Sequence, residues 1–302
     1  MLSNLWNKSS INHGVMYALA AALIWSGFIL VSRQGGVSAL NGFDVIAIRY
    51  ATCSALLLPI WWFKFRFNLF EPRFIAASLI GGLAYALFTF QGFQLASASH
   101  AAVLLVGLIP LFIILLAALF DSDKIPVNKW LGLALISAGV ASLIWPLFST
   151  GPGLNAGHYY LAAGAFCWAL FSVLIKRWEI TPWQATVSLA MLTCMLYLPV
   201  YITLLPKNLA FNLWQDIALQ AFYQGFLATI IQMIFYVKAV RLLGPSAMGS
   251  MMAIVPLISG IAAVYLFDET LTTTLVIGLV AVSVGAIVVH TNIHFSWYKR
   301  RR

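Results

Sequence analysis

GVMYALAAALIWSGFILVSR, residues 14–33, and GHYYLAAGAFCWALFSVLIK, residues 157–176, are one pattern written twice. Gly14, Tyr17, Ala20, Ala22, Trp25 and Phe28 recur as Gly157, Tyr160, Ala163, Ala165, Trp168 and Phe171 at a constant offset of 143 residues (168 − 25), and Arg33 and Lys176 close the two copies in register. Further along, Ala101, Pro110 and Leu111 match Ala247, Pro256 and Leu257, and Gly132, Leu133, Ser137 and Gly139 match Gly278, Leu279, Ser283 and Gly285, now at 146 residues (256 − 110). Ala and Leu coincide often in an apolar chain; paired Trp, Pro and Gly positions in register do not. Each unit holds five hydrophobic runs, and an odd number makes the second unit enter from the opposite face. Inverted repeats in a membrane characterise carriers that work by alternating access, with the site where the repeats meet.

Composition agrees. Hydrophobic residues form 62% of the 302 and charged ones 8%, against about 25% charged in a soluble domain. The polar surface is too small to face water all round, so the chain faces lipid. A polar leader runs to His13, and no A-x-A cleavage site follows the first apolar run, so the first helix is expected to be retained. Cys53, Cys167 and Cys194 lie in apolar runs without metal-type spacing and read as small packing residues. The net charge of +9 is scattered between apolar runs, a topology signal and not a nucleic-acid face.

Ten runs approach the roughly 20 residues that a helix needs to cross a bilayer: 14–32, 43–63, 74–95, 99–120, 129–147, 157–175, 183–204, 215–237, 245–267 and 272–291. Breakers separate them, among them Gly35-Gly36, Glu71-Pro72, Lys124-Ile125-Pro126, Gly151-Pro152-Gly153, Thr181-Pro182, Pro206-Lys207 and Gly244-Pro245. With both termini on one side, that side collects 14 of the 17 Lys and Arg residues and the other only Arg33 and Lys207. The basic side is expected to be cytoplasmic. The expected fold is all-α: ten transmembrane helices as two inverted five-helix repeats, residues 14–147 and 157–291, between a cytoplasmic N-terminal segment 1–13 and a basic cytoplasmic tail 292–302.

Few polar side chains lie at membrane depth, and each has a structural alternative. Trp25 and Trp168 sit mid-run, away from the interfacial belts; they are aromatic walls of a midplane site or packing residues at a helix crossing. Gln91 and Gln94, with Gln224, Thr229 and Gln232, line a wet cavity or glue helices together. Gln224 and Gln232 are eight residues apart, within about 80° on an ideal helix, and Tyr85 could join them. Arg49, the one fixed charge well inside a run, pairs with Asp44 or helix-end carbonyls, or anchors a substrate carboxylate bidentately at a depth that suits a gate. Pro110 and Pro256 free backbone carbonyls and mark hinges or static kinks. Gly132, Gly139, Gly278 and Gly285 invite close helix packing. His100 reads as a lone capping residue near the cytoplasmic boundary, or a proton relay. Asp121, Asp123, Asp268 and Glu269 close the fourth and ninth runs; the latter pair is expected inside, near Lys124 and Arg241.

Trp25-Ser26-Gly27, Arg49, Pro110, Gly132 and Gly139, echoed by Trp168, Pro256, Asp268-Glu269-Thr270, Gly278 and Gly285, resemble the drug/metabolite transporter superfamily in its ten-helix EamA-type branch, over about residues 14–290. The resemblance implies a central cavity lined mainly by helices 1, 3, 4, 6, 8 and 9, and export of amino acids, related metabolites or drugs. Small multidrug exporters of that superfamily use a buried glutamate in their first helix; here Trp25, Ser26 and Gly27 stand in that region, which argues against proton-for-cation exchange. The chain has no phosphate-binding GxxxxGK[ST] loop and no paired intramembrane His, Asp or Glu, so neither ATP hydrolysis nor catalysis is expected. The expectation is a secondary transporter in a bacterial-type inner membrane, a monomer or homodimer, without metal, cofactor or nucleic acid. It exports a small, zwitterionic or amphipathic metabolite through a neutral, aromatic-lined cavity. Import, exchange or drug efflux are the alternatives within transport, and a non-transporting membrane subunit the alternative outside it.

Overall fold

A computed structural model describes residues 2–64, 66–121, 126–149, 153–243 and 245–290. Asp123, Lys124, Ile125, Gly151, Pro152, Gly244 and the tail Lys299–Arg302 lie outside the described residues, as do the side chains of Lys8, Asp121 and Ser246. The described residues form ten membrane-length apolar helices and no strand. They are α1 (Leu2–Val37), α2 (Gly42–Phe63), α3 (Pro72–Leu95), α4 (Ala98–Asp121), α5 (Val127–Ser149), α6 (Ala156–Arg177), α7 (Pro182–Leu204), α8 (Phe211–Leu243), α9 (Pro245–Met252 and Val255–Leu266) and α10 (Thr273–His290). Large apolar side chains such as Phe63, Leu119, Trp145 and Leu204 point out of the bundle. In water that surface would aggregate; in lipid it is solvated. The protein is a multi-pass integral membrane protein.

Short-range signals set the helix starts. Asn41, Asn155 and Thr181 open α2, α6 and α7 with reciprocal capping boxes to Asp44, His158 and Gln184, satisfying amide groups that have no partner inside the helix. Two caps also reach across the repeats: Asn41 Nδ2 donates to Pro206 O (3.1 Å) and Asn155 Nδ2 to Leu95 O (2.8 Å). The successive loops alternate between two faces. One, the basic face, holds the start of α1, the end of α10 and the even-to-odd loops.

The repeats are interleaved. α1 packs on α8 as α3 packs on α6, α4 on α6 as α9 on α1, while α2–α7, α4–α9 and α5–α10 pair with their own counterparts. This is the contact pattern of a two-fold axis in the membrane plane. Glycines fix the α5–α10 crossing: a Cβ on Gly132 would lie 2.7 Å from Gly285 O, one on Gly285 2.8 Å from Gly132 O, and one on Gly139 2.9 Å from Gly278 O. Backbones this close leave no room for a side chain.

Two departures from regular helix shape the interior. α3 is π-helical over Leu79–Ala84 and α8 over Ala221–Ile231, so the third helix of each repeat winds wide at the same stage. Side chains reach carbonyls in both segments: Tyr50 OH donates to Gly82 O (3.1 Å) and Thr229 Oγ1 to Gln224 O (2.7 Å). The second departure is unequal. Pro110 lies within continuous α4, whereas its counterpart Pro256 follows a break in α9 at Ala253–Ile254. The ninth run, expected as one helix over 245–267, is two pieces; Pro256 leaves Met252 O without its usual donor, a loss that α4 accommodates at Pro110 without parting.

Candidate functional site

A cavity of about 850 Å³ occupies the middle of the bundle. It begins at the basic face, between Pro126 and Lys129, Ile180 and Pro182, and His290 at the end of α10, and runs inward to Phe28 and Arg49. No described residue of a loop on the opposite face lines it. α1, α3, α4, α6, α8 and α9 contribute to the wall, and so do α2, α5, α7 and α10, which makes it wider than the resemblance implies.

The aromatic centre is built by α1, α3 and α6. Trp25 and Trp168 both line the cavity. The Tyr85 ring packs 4.8 Å from Trp168, which packs 5.2 Å from Phe171. Tyr85 is the first residue of α3 after its π-helical segment, and Gln232 holds the same place in α8. Both line the cavity, with Thr229 one turn earlier. Pro110 and Pro256 line it as well, Pro256 just after the break in α9.

Arg49 forms the closed end. It is buried, with its guanidinium carbon 5.3 Å from the Phe28 ring, 5.7 Å from Tyr50 and 5.9 Å from Phe90. Its Nη1 donates one long bond, 3.4 Å, to Gln224 Oε1, and its Nε has no partner among the described residues. The pairing expected with Asp44 is absent. Five residues separate them, about 140° around a helix, and Asp44 is committed elsewhere: it accepts from Tyr201 OH (2.5 Å), Asn41 N (2.9 Å) and Asn208 N (3.2 Å). Asp44 thereby ties α2 to α7 and to the α7–α8 connection. Asp44→Ala leaves three donors unmatched and is expected to cost about 3 kcal/mol, read as a fall in the melting temperature of the purified protein. A melt equal to that of the parent would remove Asp44 from the fold's supports.

Three of the expected glutamines do not reach the cavity. Gln94 lies nine residues past Tyr85, half a turn round the helix, and it and Gln91 sit against the start of α2 at Gly42. Gln224 is fully buried behind Arg49, with its Nε2 donating to Ser32 Oγ (2.9 Å). The shared face assumed for Gln224 and Gln232 presupposed an ideal α-helix, and the π-helical segment between them breaks that phase. Conversely, Lys129 and His290 line the mouth without having been singled out. The glycine spacing held the clue: extending the α5–α10 crossing one turn past Gly132 brings these two together. With Arg49 they make the lining basic, not neutral.

The opposite face is bridged between the repeats. Glu269, expected on the basic side, follows α9 on the other, because the ninth of ten alternating helices ends there. A left-handed turn at Asp268 (φ 51°) precedes it. Its carboxylate accepts from Ala98 N (2.6 Å) and Ser99 N (2.9 Å), capping α4 of the other repeat. Arg33 Nη1 donates to Phe93 O (2.7 Å) and Gln94 O (3.0 Å) at the end of α3. His100 is on this face too and is not alone: its Nδ1 lies 3.0 Å from His158 Nε2. The Asn155 N–H donates to His158 Nδ1 (3.1 Å), which makes Nε2 the donor of the neutral ring.

An interleaved inverted repeat around a one-sided cavity is the build of a membrane carrier, and the comparisons give its family. The model of the EamA-like transporter family matches residues 12–145 and again 155–291, so the chain belongs to that family and is a transporter. It is 24% identical over 263 residues to the uncharacterized transporter YyaM of Bacillus subtilis (strain 168), covering 80% of this chain and 82% of that one. A crystal structure at 21% identity shares the fold with a TM-score of 0.61, over 91% of this chain and 95% of the other.

Proposed function

We propose that the protein is a secondary transporter that exports a small organic metabolite, such as an amino acid or a related amphipathic compound, by alternating access across a bacterial-type inner membrane. The observation that carries this reading is a mid-bundle cavity that reaches one face, while Glu269 bridges the two repeats across the other. The Lys and Arg bias supports a cytoplasmic position for the open face and for both termini, which is the side from which an exporter loads. Trp25, Trp168, Tyr85, Thr229 and Gln232 are then the groups that meet the solute. Rocking of the bundles, with Pro110 and Pro256 as the flexible points, opens the other side.

Purified protein in liposomes should release a preloaded labelled metabolite faster than empty liposomes do. Trp168→Ala should weaken binding about tenfold, since it removes an aromatic wall, whereas Gln91→Ala, outside the cavity, should leave affinity alone. Lack of flux and binding across a broad metabolite panel would end the transport reading. Equal affinity in the two variants would return Trp168 to packing.

A further inference from the structure

We infer that the solute is a monocarboxylate with an apolar body, its carboxylate gripped by Arg49 at the closed end of the cavity; this rests on the transport reading above. The first ground is the sign of the lining. Of the described residues that line the cavity, Arg49, Lys129 and His290 are basic and none is acidic. Three of the described carboxylates are engaged elsewhere: Asp44 by Tyr201 and backbone amides, Glu71 in an ion pair with Arg73 (2.7 Å), Glu269 on α4. The Arg73–Glu71 contact is the one ion pair among the described residues.

The second ground is the state of Arg49 itself. A guanidinium at membrane depth needs a counter-charge or a full set of acceptors. This one has a single stretched bond to an amide oxygen and an Nε with no partner among the described residues. Three aromatic rings flank it; they ease the burial of a cation but supply no acceptor in the plane of the fork. A carboxylate does, through two parallel N–H···O bonds.

The surroundings narrow the head group and the tail. One cation at the closed end balances one negative charge; a phosphate monoester carries more, and Lys129 and His290 stand at the other end. Among the described lining residues no carboxylate is present to hold an α-ammonium, which favours a simple acid over an amino acid. Beyond the head, Tyr85, Trp25 and Trp168 offer an apolar, aromatic sleeve.

Four probes on one carbon skeleton test this with the full-length protein in nanodiscs: 3-phenylpropionate, phenylalanine, 3-phenylpropylamine and 3-phenylpropanol, with binding read by tryptophan fluorescence. The carboxylate should bind at least about tenfold tighter than the amine and the alcohol, and tighter than phenylalanine. Arg49→Gln should cancel the preference and leave the alcohol unaffected. If that variant does not fold, Arg49→Lys, which keeps the charge and loses the fork, should bind 3-phenylpropionate less tightly than the parent. Amine, alcohol or zwitterion binding as tightly as the acid, or full affinity in the Arg49 variants, overturns the inference and leaves transport standing. No binding by any of the four, with no flux, overturns both.

Discussion

Gly132→Leu is expected to give a protein that does not survive extraction in folded form. Much of the obstacle is backbone: besides the Val289 side chain at 2.5 Å, a Cβ alone would meet Gly285 O at 2.7 Å and Val289 N at 2.9 Å. No rotamer change relieves such a contact. α5 and α10 would have to separate, and the pair packs along its length on the two-fold axis. Overpacking in a relaxable core costs about 1–3 kcal/mol, so an unrelaxable crossing should exceed about 3 kcal/mol. Thermal melting and size-exclusion profiles of the variant, set beside Gly153→Leu, would measure it. Gly153 has a φ of 83° but open space around it, so that substitution strains a loop and leaves the crossing intact. A monodisperse Gly132→Leu protein melting with the parent would mean that the crossing is looser than described.

The second large effect is conformational. Glu269→Ala should release the closed face, because both amides at the head of α4 lose a charged acceptor supplied by the other repeat. Hydrogen bonds to a charged group contribute about 1.5–3 kcal/mol each. A net loss of about 3 kcal/mol, part of it made up by water, shifts the balance of open and closed forms by roughly 150-fold. A cysteine at Phe28, in a background where Cys53, Cys167 and Cys194 are alanine, reports the change. In the parent, an impermeant maleimide should label it from the basic face; in the Glu269→Ala protein, labelling from the opposite face should rise. An unchanged ratio would show that Arg33 and the His100–His158 pair hold this face without help from Glu269.

Much of the architecture was legible in the chain because lipid removes choices. A run of about 20 apolar residues has to be a helix, and Trp, Pro and Gly in register identify the duplication. The site was legible where a residue type is scarce at that depth: Trp25, Trp168, Arg49 and the two prolines all line the cavity. It failed for Gln91, Gln94 and Gln224. Cost in lipid says that an amide must face protein but not which part of the protein, and here each faces a neighbouring helix. The π-helical segments carry no such compositional mark, and they set which residues of α3 and α8 turn inward. His100 and Glu269 were assigned to the wrong face through an error of helix parity, so their partners His158 and Ala98 went unseen.

The inequality of α4 and α9 has a consequence for the cycle. Counterparts by descent, they are held in different shapes, one continuous through Pro110 and one parted before Pro256. Each repeat therefore displays a conformation that the other has the sequence to adopt. If the halves trade shapes, α9 heals as α4 parts near Val106, and the cavity closes toward the basic face while it opens on the other. Under the proposed alternating access, the second pose of the transporter is the exchange of its halves.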